Sequence, residues 1–297
     1  MAIETEVDTC VSYKMLVLDI DGTLLTSAGT VAPSTKSALA RAQQAGMLVT
    51  FATGRRLATV APLCRELGIT LPVVLQTGAQ IVEPETGKVL YRNPLPRDEV
   101  AAAVRWLVEE GLQPIVYENG ALGQRLFTGP IERDSPAMSY YTRGYPHLLQ
   151  RLPYDELAAI EEPLEIATIN DLALVAPAAA RIELAGCRHL ISYSATLDSY
   201  FLEIFHATCS KGEALRHICD MMGLSMADVV AVGDNYNDRE MLQDAGLGVA
   251  MANAEPEIIA IADRATRSND DDGIAALVDE LLGTGPATEV AWQGQTD

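Results

Sequence analysis

Met15-Leu-Val-Leu-Asp-Ile-Asp-Gly-Thr-Leu24 is the stretch that decides the fold. Met15 to Ile20 is a short, nearly continuous apolar run, the pattern of a strand buried on both faces of a parallel sheet, and Asp21-Gly22 stops it with a turn signal. Beyond it, Pro33 to Ala45 carries Pro near its start, helix formers through its length and Gly46 just past its end, which predicts a helix. A second apolar run, Met47 to Ala52, leads into Thr53-Gly54. A helix over Leu57 to Leu67, closed by Gly68, then precedes a third strand, Val73 to Gln76, ending at Thr77-Gly78. Strand, helix and strand in this cadence predict a doubly wound, Rossmann-like α/β sheet.

The cadence breaks near Glu83, where Pro84, Pro94 and Pro96 interrupt it. Asn119-Gly120 predicts a hairpin turn, and 164–169, 189–194 and 200–205 read as further strands. Residues 84–206 therefore read as an α+β domain inserted into a core made of 15–83 and 207–283, with an N-terminal extension over 1–14. The core cadence resumes with a helix over Lys211 to Met222, a strand over Asp228 to Gly233, a helix over Asp238 to Ala245 and a strand over Gly248 to Met251. Helices from Glu255-Pro256 and over Gly273 to Leu282 close it. The Gly/Pro/Thr/Gln-rich tail, 284–297, is expected to be flexible.

Composition removes several function classes. Forty-one acidic against 21 basic residues give a net charge of -20, which repels a phosphate backbone, so nucleic acid is not an expected partner. Cys10, Cys64, Cys187, Cys209 and Cys219 are odd in number and widely spaced, with no CxxC or Cys/His pattern. They read as reduced core thiols rather than a disulfide framework or zinc site. Glu4, Glu6 and Asp8 stand where a secretory signal needs positive charge, and no apolar stretch reaches bilayer length, so no membrane partner and a cytoplasmic location are expected. Monomer and homodimer are both compatible with the sequence.

In an open parallel sheet, ligands bind beyond the carboxyl ends of the strands. Here those ends carry Asp19, Thr53, Thr77 and Asp234. Asp19 and Asp21 lie two residues apart where the strand gives way to a turn, so they can take different roles. A carboxylate is a competent nucleophile toward a phosphoryl group, and a second acid can protonate the leaving alcohol and then activate water. A carboxylate and a phosphate repel each other, so this chemistry calls for a hard cation; Mg2+ fits, with oxygens from Asp234 and Asp238. The Thr53 hydroxyl, the amides after Gly54 and the Lys211 ammonium can serve the phosphoryl oxygens.

Four motifs carry a resemblance to the haloacid dehalogenase superfamily, and within it to Cof-type phosphatases. They are Asp19-Ile-Asp-Gly-Thr-Leu24, Phe51-Ala-Thr-Gly-Arg55, Ser210-Lys-Gly-Glu-Ala-Leu215 and Gly233-Asp-Asn-Tyr-Asn-Asp-Arg-Glu-Met-Leu242. The resemblance implies Asp19 as nucleophile, Asp21 as general acid/base and Thr53 and Lys211 as phosphate ligands. It also implies Asp234 as a metal ligand beside Asp19 and the Asp21 carbonyl, with Asn237 and Asp238 in support. Residues 84–206 stand where this family carries a cap that closes over the site. The implied activity is Mg2+-dependent hydrolysis of small phosphorylated metabolites, such as sugar phosphates or phosphorylated cofactors, through an aspartyl-phosphate. Related enzymes leave phosphomutase as an alternative, and a catalytically silent regulatory binding protein is a third. Thr77-Gly78-Ala79 departs from the Asn-Gly-Ala of many relatives, and Thr208 stands where a glycine is common.

Overall fold

A computed structural model describes residues 13–120, 123–194 and 196–284. The chain divides into two compact units, one formed by Met1–Tyr91 with Ser210–Asp297 and the other by Arg92–Cys209.

The first unit opens with β1 (Met15–Leu18), α1 (Pro33–Gln44), β2 (Leu48–Phe51), α2 (Leu57–Leu67) and β3 (Val73–Leu75). β4 (Gln80–Val82), antiparallel to β3, and then β5 (Val89–Arg92) beside β4 extend β3 into a three-stranded sheet. This pairing is why the unit runs to Tyr91 and not only to the proline at 84 that sequence reading took as the break.

The second unit contains α3 (Arg97–Glu109), β6 (Ile115–Gly120), β7 (Gly123–Thr128), α4 (Pro136–Arg143), β8 (Leu149–Arg151) and α5 (Tyr154–Leu157). It continues with β9 (Glu165–Asn170), α6 (Leu172–Ala179), β10 (Cys187–Ser194) and β11 (Ser199–His206). Its sheet runs β10-β11-β9-β6-β7-β8, antiparallel except between β7 and β8. Alternation along β9 sends Ile166 into the core lined by Val100, Val104 and Leu107 of α3. Ala167 and Ile169 go into a second core with Met138 of α4. The hairpin expected at Asn119-Gly120 is displaced: both residues continue β6, paired with Gln124 and Gly123, and the connecting 121–122 lie outside the described residues.

The chain returns to the first unit with α7 (Lys211–Met222), β12 (Val229–Gly233), α8 (Arg239–Asp244), β13 (Leu247–Ala250), α9 (Pro256–Ile261), β14 (Arg264–Ala265) and α10 (Gly273–Leu281). The main sheet, β14-β13-β12-β1-β2, is parallel throughout, and an Ala52–Val74 bridge brings β3 beside β2. Leu16 and Leu18 of β1 join one core with Leu39, Val60 and Leu277 of α1, α2 and α10, while Met15 and Val17 join another with Leu215, Met241 and Ile258 of α7, α8 and α9. Helices on both faces explain the unbroken apolar reading of the strands. Cys64, Cys209 and Cys219 are buried and Cys187 is half-buried, and none of the four is in a disulfide; Cys10, the extension up to residue 12 and the tail from 285 fall outside the described residues. Among the described residues, no helix is long and apolar enough to cross a membrane.

Candidate active site

β1 and β12 are adjacent and parallel, so their carboxyl ends lie side by side and bring together residues from the two ends of the chain. Asp19 follows β1, with its amide donating to the Val232 carbonyl (2.9 Å), and its side chain is almost wholly buried. Lys211, the first residue of α7, is fully buried, and its Nζ donates to Asp19 Oδ1 (2.7 Å) and Asp238 Oδ1 (2.6 Å). The Ser210 hydroxyl caps α7 by accepting from the Glu213 amide (3.0 Å), which fixes the start of the helix that carries the lysine.

Carboxylate oxygens of Asp19, Asp234 and Asp238 lie within 4.8 Å of one another, a grouping able to hold a metal ion. Asp238 does a second job there. Its Oδ2 accepts from the Asp234 and Asn235 amides (3.0 Å each), pinning the turn after β12, so each of its oxygens already holds protein donors. Asp234 accepts from the Thr23 hydroxyl (2.9 Å). Gly22, at φ +76°, lies so close that a Cβ there would stand 2.3 Å from Asp234 Oδ2; only glycine gives the acid-bearing turn this approach.

Three clustered carboxylates face one ammonium. Burial raises the Asp19 carboxyl well above its ordinary value; Lys211 pulls it down, but Asp238 and Asp234 push it back up. Burial and then Asp238 raise Asp234 to about 7. Burial alone would lower the Lys211 ammonium, and the two aspartates more than offset it, leaving it raised. The cluster thus carries surplus negative charge in a desolvated place, the condition that a hard cation with oxygen ligands relieves. Asn237 Oδ1, which is buried and has no hydrogen-bond partner, adds an unsatisfied oxygen in the same turn. These features fit Mg2+.

Asp21 takes a different place. Its side chain is 62% exposed, and Arg55 grips it with two donors, Nε to Oδ2 at 2.7 Å and Nη2 to Oδ1 at 2.6 Å. The Arg55 guanidinium is raised chiefly by that hydrogen bond. The Thr53 side chain is buried and its Oγ1 accepts from the Arg55 amide (3.1 Å), leaving the hydroxyl proton to donate elsewhere. The amides after Gly54, expected to serve the phosphoryl oxygens, do not open a helix. α2 begins only at Leu57, and the Arg55 amide is spent on Thr53, so this segment is a turn rather than a helix end. Gly54 itself is exposed.

Two side chains escaped the sequence reading. Asn253, beyond β13, donates to the Gly22 carbonyl (2.8 Å) and accepts from the Asn269 amide (3.0 Å); Asn269 donates in turn to the Leu25 carbonyl (2.8 Å). Together they bracket the turn after Asp19. Asn253 follows a strand end, so the rule that singled out Asp19 and Asp234 could have found it; nothing local marks Asn269.

Residues 16–278 match the family described as haloacid dehalogenase-like hydrolase. The chain belongs to that family. It is 28% identical to the phosphatase YwpJ of Bacillus subtilis (strain 168), covering 91% of this chain and 100% of that one. It is 29% identical to the pyridoxal phosphate phosphatase YbhA of Escherichia coli (strain K12), with 89% and 97% covered. A crystal structure of a haloacid dehalogenase-like hydrolase from Bacteroides thetaiotaomicron superposes with a TM-score of 0.74 at 26% identity, covering 91% of this chain and 99% of that one. This haloacid dehalogenase-like hydrolase is thus similar over nearly its whole length to named phosphatases, as its four motifs implied.

Proposed function

We propose that this hydrolase is a Mg2+-dependent phosphatase of small phosphomonoesters, such as sugar phosphates or phosphorylated cofactors, and that it works through an aspartyl-phosphate on Asp19. The observation that carries this reading is the buried Asp19 carboxylate held by Lys211 beside Asp234. A nucleophile needs a fixed direction of attack, and an ion pair within a desolvated pocket supplies it. Similarity to a pyridoxal phosphate phosphatase supports a phosphorylated cofactor as one substrate class.

Asp19, Asp234 and the neighbouring main chain would hold Mg2+, which on binding screens the nucleophile from the phosphate dianion and polarises the phosphoryl group. Lys211 sits where negative charge spreads over the transferring group, and the Thr53 hydroxyl offers it a donor. In the first step an Asp19 oxygen bonds to phosphorus, the ester P–O bond breaks, and the leaving oxygen takes a proton from Asp21. In the second, water attacks phosphorus and passes a proton to Asp21, the Asp19–phosphate bond breaks, and the carboxylate is restored. Asp238 serves by fixing Lys211 and the turn after β12, and Asn237, whose Oδ1 has no hydrogen-bond partner, would support the metal.

Purified protein is expected to hydrolyse an aryl phosphate with Mg2+ and not with EDTA, and Asp19→Asn to lower turnover by about a thousandfold or more. Turnover that persisted in Asp19→Asn would overturn the covalent reading. Phosphate release from a panel of sugar phosphates and phosphorylated cofactors then identifies the substrate class.

A further inference from the structure

The Arg55–Asp21 pair calls for an explanation that stability does not give. Its side chains are 31% and 62% exposed, and pairs in such surroundings contribute little to folding. Yet both partners stand on backbone held from two sides. The Arg55 amide donates to Thr53 Oγ1 (3.1 Å) and its carbonyl accepts from the Gln76 amide (3.0 Å). The turn bearing Asp21 is bracketed by Asn253 on the Gly22 carbonyl and Asn269 on the Leu25 carbonyl. A planar guanidinium that meets both oxygens of a carboxylate fixes its orientation, as a lysine cannot.

We propose that Arg55 is a positioning residue that holds the Asp21 carboxylate for the second half of the reaction, when it must take a proton from the attacking water. The fork matches a carboxylate with two acceptor oxygens, the form in which Asp21 receives that proton; in the first half Asp21 gives one up. Arg55 therefore serves the breakdown of the aspartyl-phosphate more than its formation. This inference rests on the proposed role of Asp21 as acid/base.

The test is pre-steady-state hydrolysis of an aryl phosphate with Mg2+, whose leaving group needs little help from an acid. Arg55→Ala is expected to release a burst of phenol approaching one per active site, followed by steady turnover about tenfold or more below wild type. The phosphoenzyme should survive acid quench and be discharged by hydroxylamine. Arg55→Lys, which restores charge but not the fork, should recover part of the steady rate, and Arg55→Ala added to Asp21→Asn should cause little further loss. Slower turnover without a burst, or a full additional loss on the Asp21→Asn background, would overturn the positioning role. If Arg55→Ala unfolds by circular dichroism, Arg55→Lys decides alone: a smaller burst supports the inference and none sinks it. If Asp21→Asn also accumulates no phosphoenzyme, the proposed role of Asp21 falls; if Asp21→Asn accumulates it and the folded Arg55 variants do not, only the inference about Arg55 falls.

Discussion

Both units bury an aspartate against a cation, and they do so to different ends. In the inserted unit Asp134, with a side chain 1% exposed, receives both arms of Arg151 (3.1 and 2.6 Å) and Gln113 Nε2 (3.0 Å). Arg151 and Gln113 use further hydrogens on the Gly129 and Pro130 carbonyls (2.8 Å each), and Tyr154 donates to Gln113 Oε1 (2.7 Å). One charge meets one charge and the donors are used, so this network ties β7, β8 and the Ile131–Arg133 turn together. In the other unit one lysine pairs with two aspartates, Asp19 and Asp238, and a third carboxylate, Asp234, is clustered with them. A balanced buried pair is a brace; an unbalanced cluster is a place prepared for something else.

The widest separation between the two comes from removing the cation. Lys211→Met leaves buried carboxylates without an ammonium and is expected to cost about 3–5 kcal/mol in denaturant unfolding and to abolish hydrolysis. Arg151→Met, with its partly exposed head, should also destabilise but leave phosphate release near wild type when assayed below its melting temperature. Equal losses of activity in both would break the contrast.

Next comes the segment between Thr53 and Lys211. Gly78, at φ +105°, lies so close to α7 that a Cβ would stand 2.1 Å from the Ser210 carbonyl oxygen. Gly78→Ala is therefore expected to lose about 2–4 kcal/mol, through backbone strain together with the clash, and to lower activity by moving Lys211. Unchanged melting and turnover would show that this approach is not required.

The charge imbalance also has a pH signature. The Asp234 carboxyl, raised from its ordinary 3.8 to about 7, binds its proton more tightly folded than unfolded. Its contribution is therefore fully present below pH 4 and lost as pH climbs through 7. Metal-free protein should melt at a higher temperature at pH 5 than at pH 7.5, and saturating Mg2+ should raise the melting temperature by several degrees, more at pH 7.5 than at pH 5. A Mg2+ shift independent of pH would separate the cation from this carboxylate.

The smallest effect concerns Thr77. It follows Gln76 in a left-handed pair, φ 48° and 56°, which a β-branched side chain adopts at a cost and asparagine tolerates better. Thr77→Asn should raise stability by about 0.5–1 kcal/mol. No gain in melting temperature would show that the surroundings compensate for the strain.

Sequence made the parallel core legible because each strand is covered on both faces and so reads as an unbroken apolar run ending at a turn. Asp19, Thr53 and Asp234 could be picked out for the same reason. The inserted unit was less legible. α3 carries Pro96 before its first turn, Asp98 and Glu99 within it and Gly111 beyond its end, yet the neighbouring prolines masked these signals. Asn119-Gly120 has the composition of a turn, but the pairing of Gly120 with Gly123 extends the strand through it. Arg55 was read only as part of a motif, and Asn269 not at all. Their partners lie 34 and 244 positions away, beyond the reach of any local periodicity.

The order of the main sheet sets when its strands can pair during synthesis. β1 pairs with both β2 and β12, and Thr23 meets Asp234 across 211 positions of sequence. At ribosomal speeds of about 5–20 residues per second, β1 waits roughly 10–40 s with one edge unpaired before its second neighbour emerges. During that interval the nascent protein offers a bare apolar edge to chaperones or to aggregation, and it gains its chemistry only after the whole insert has been translated.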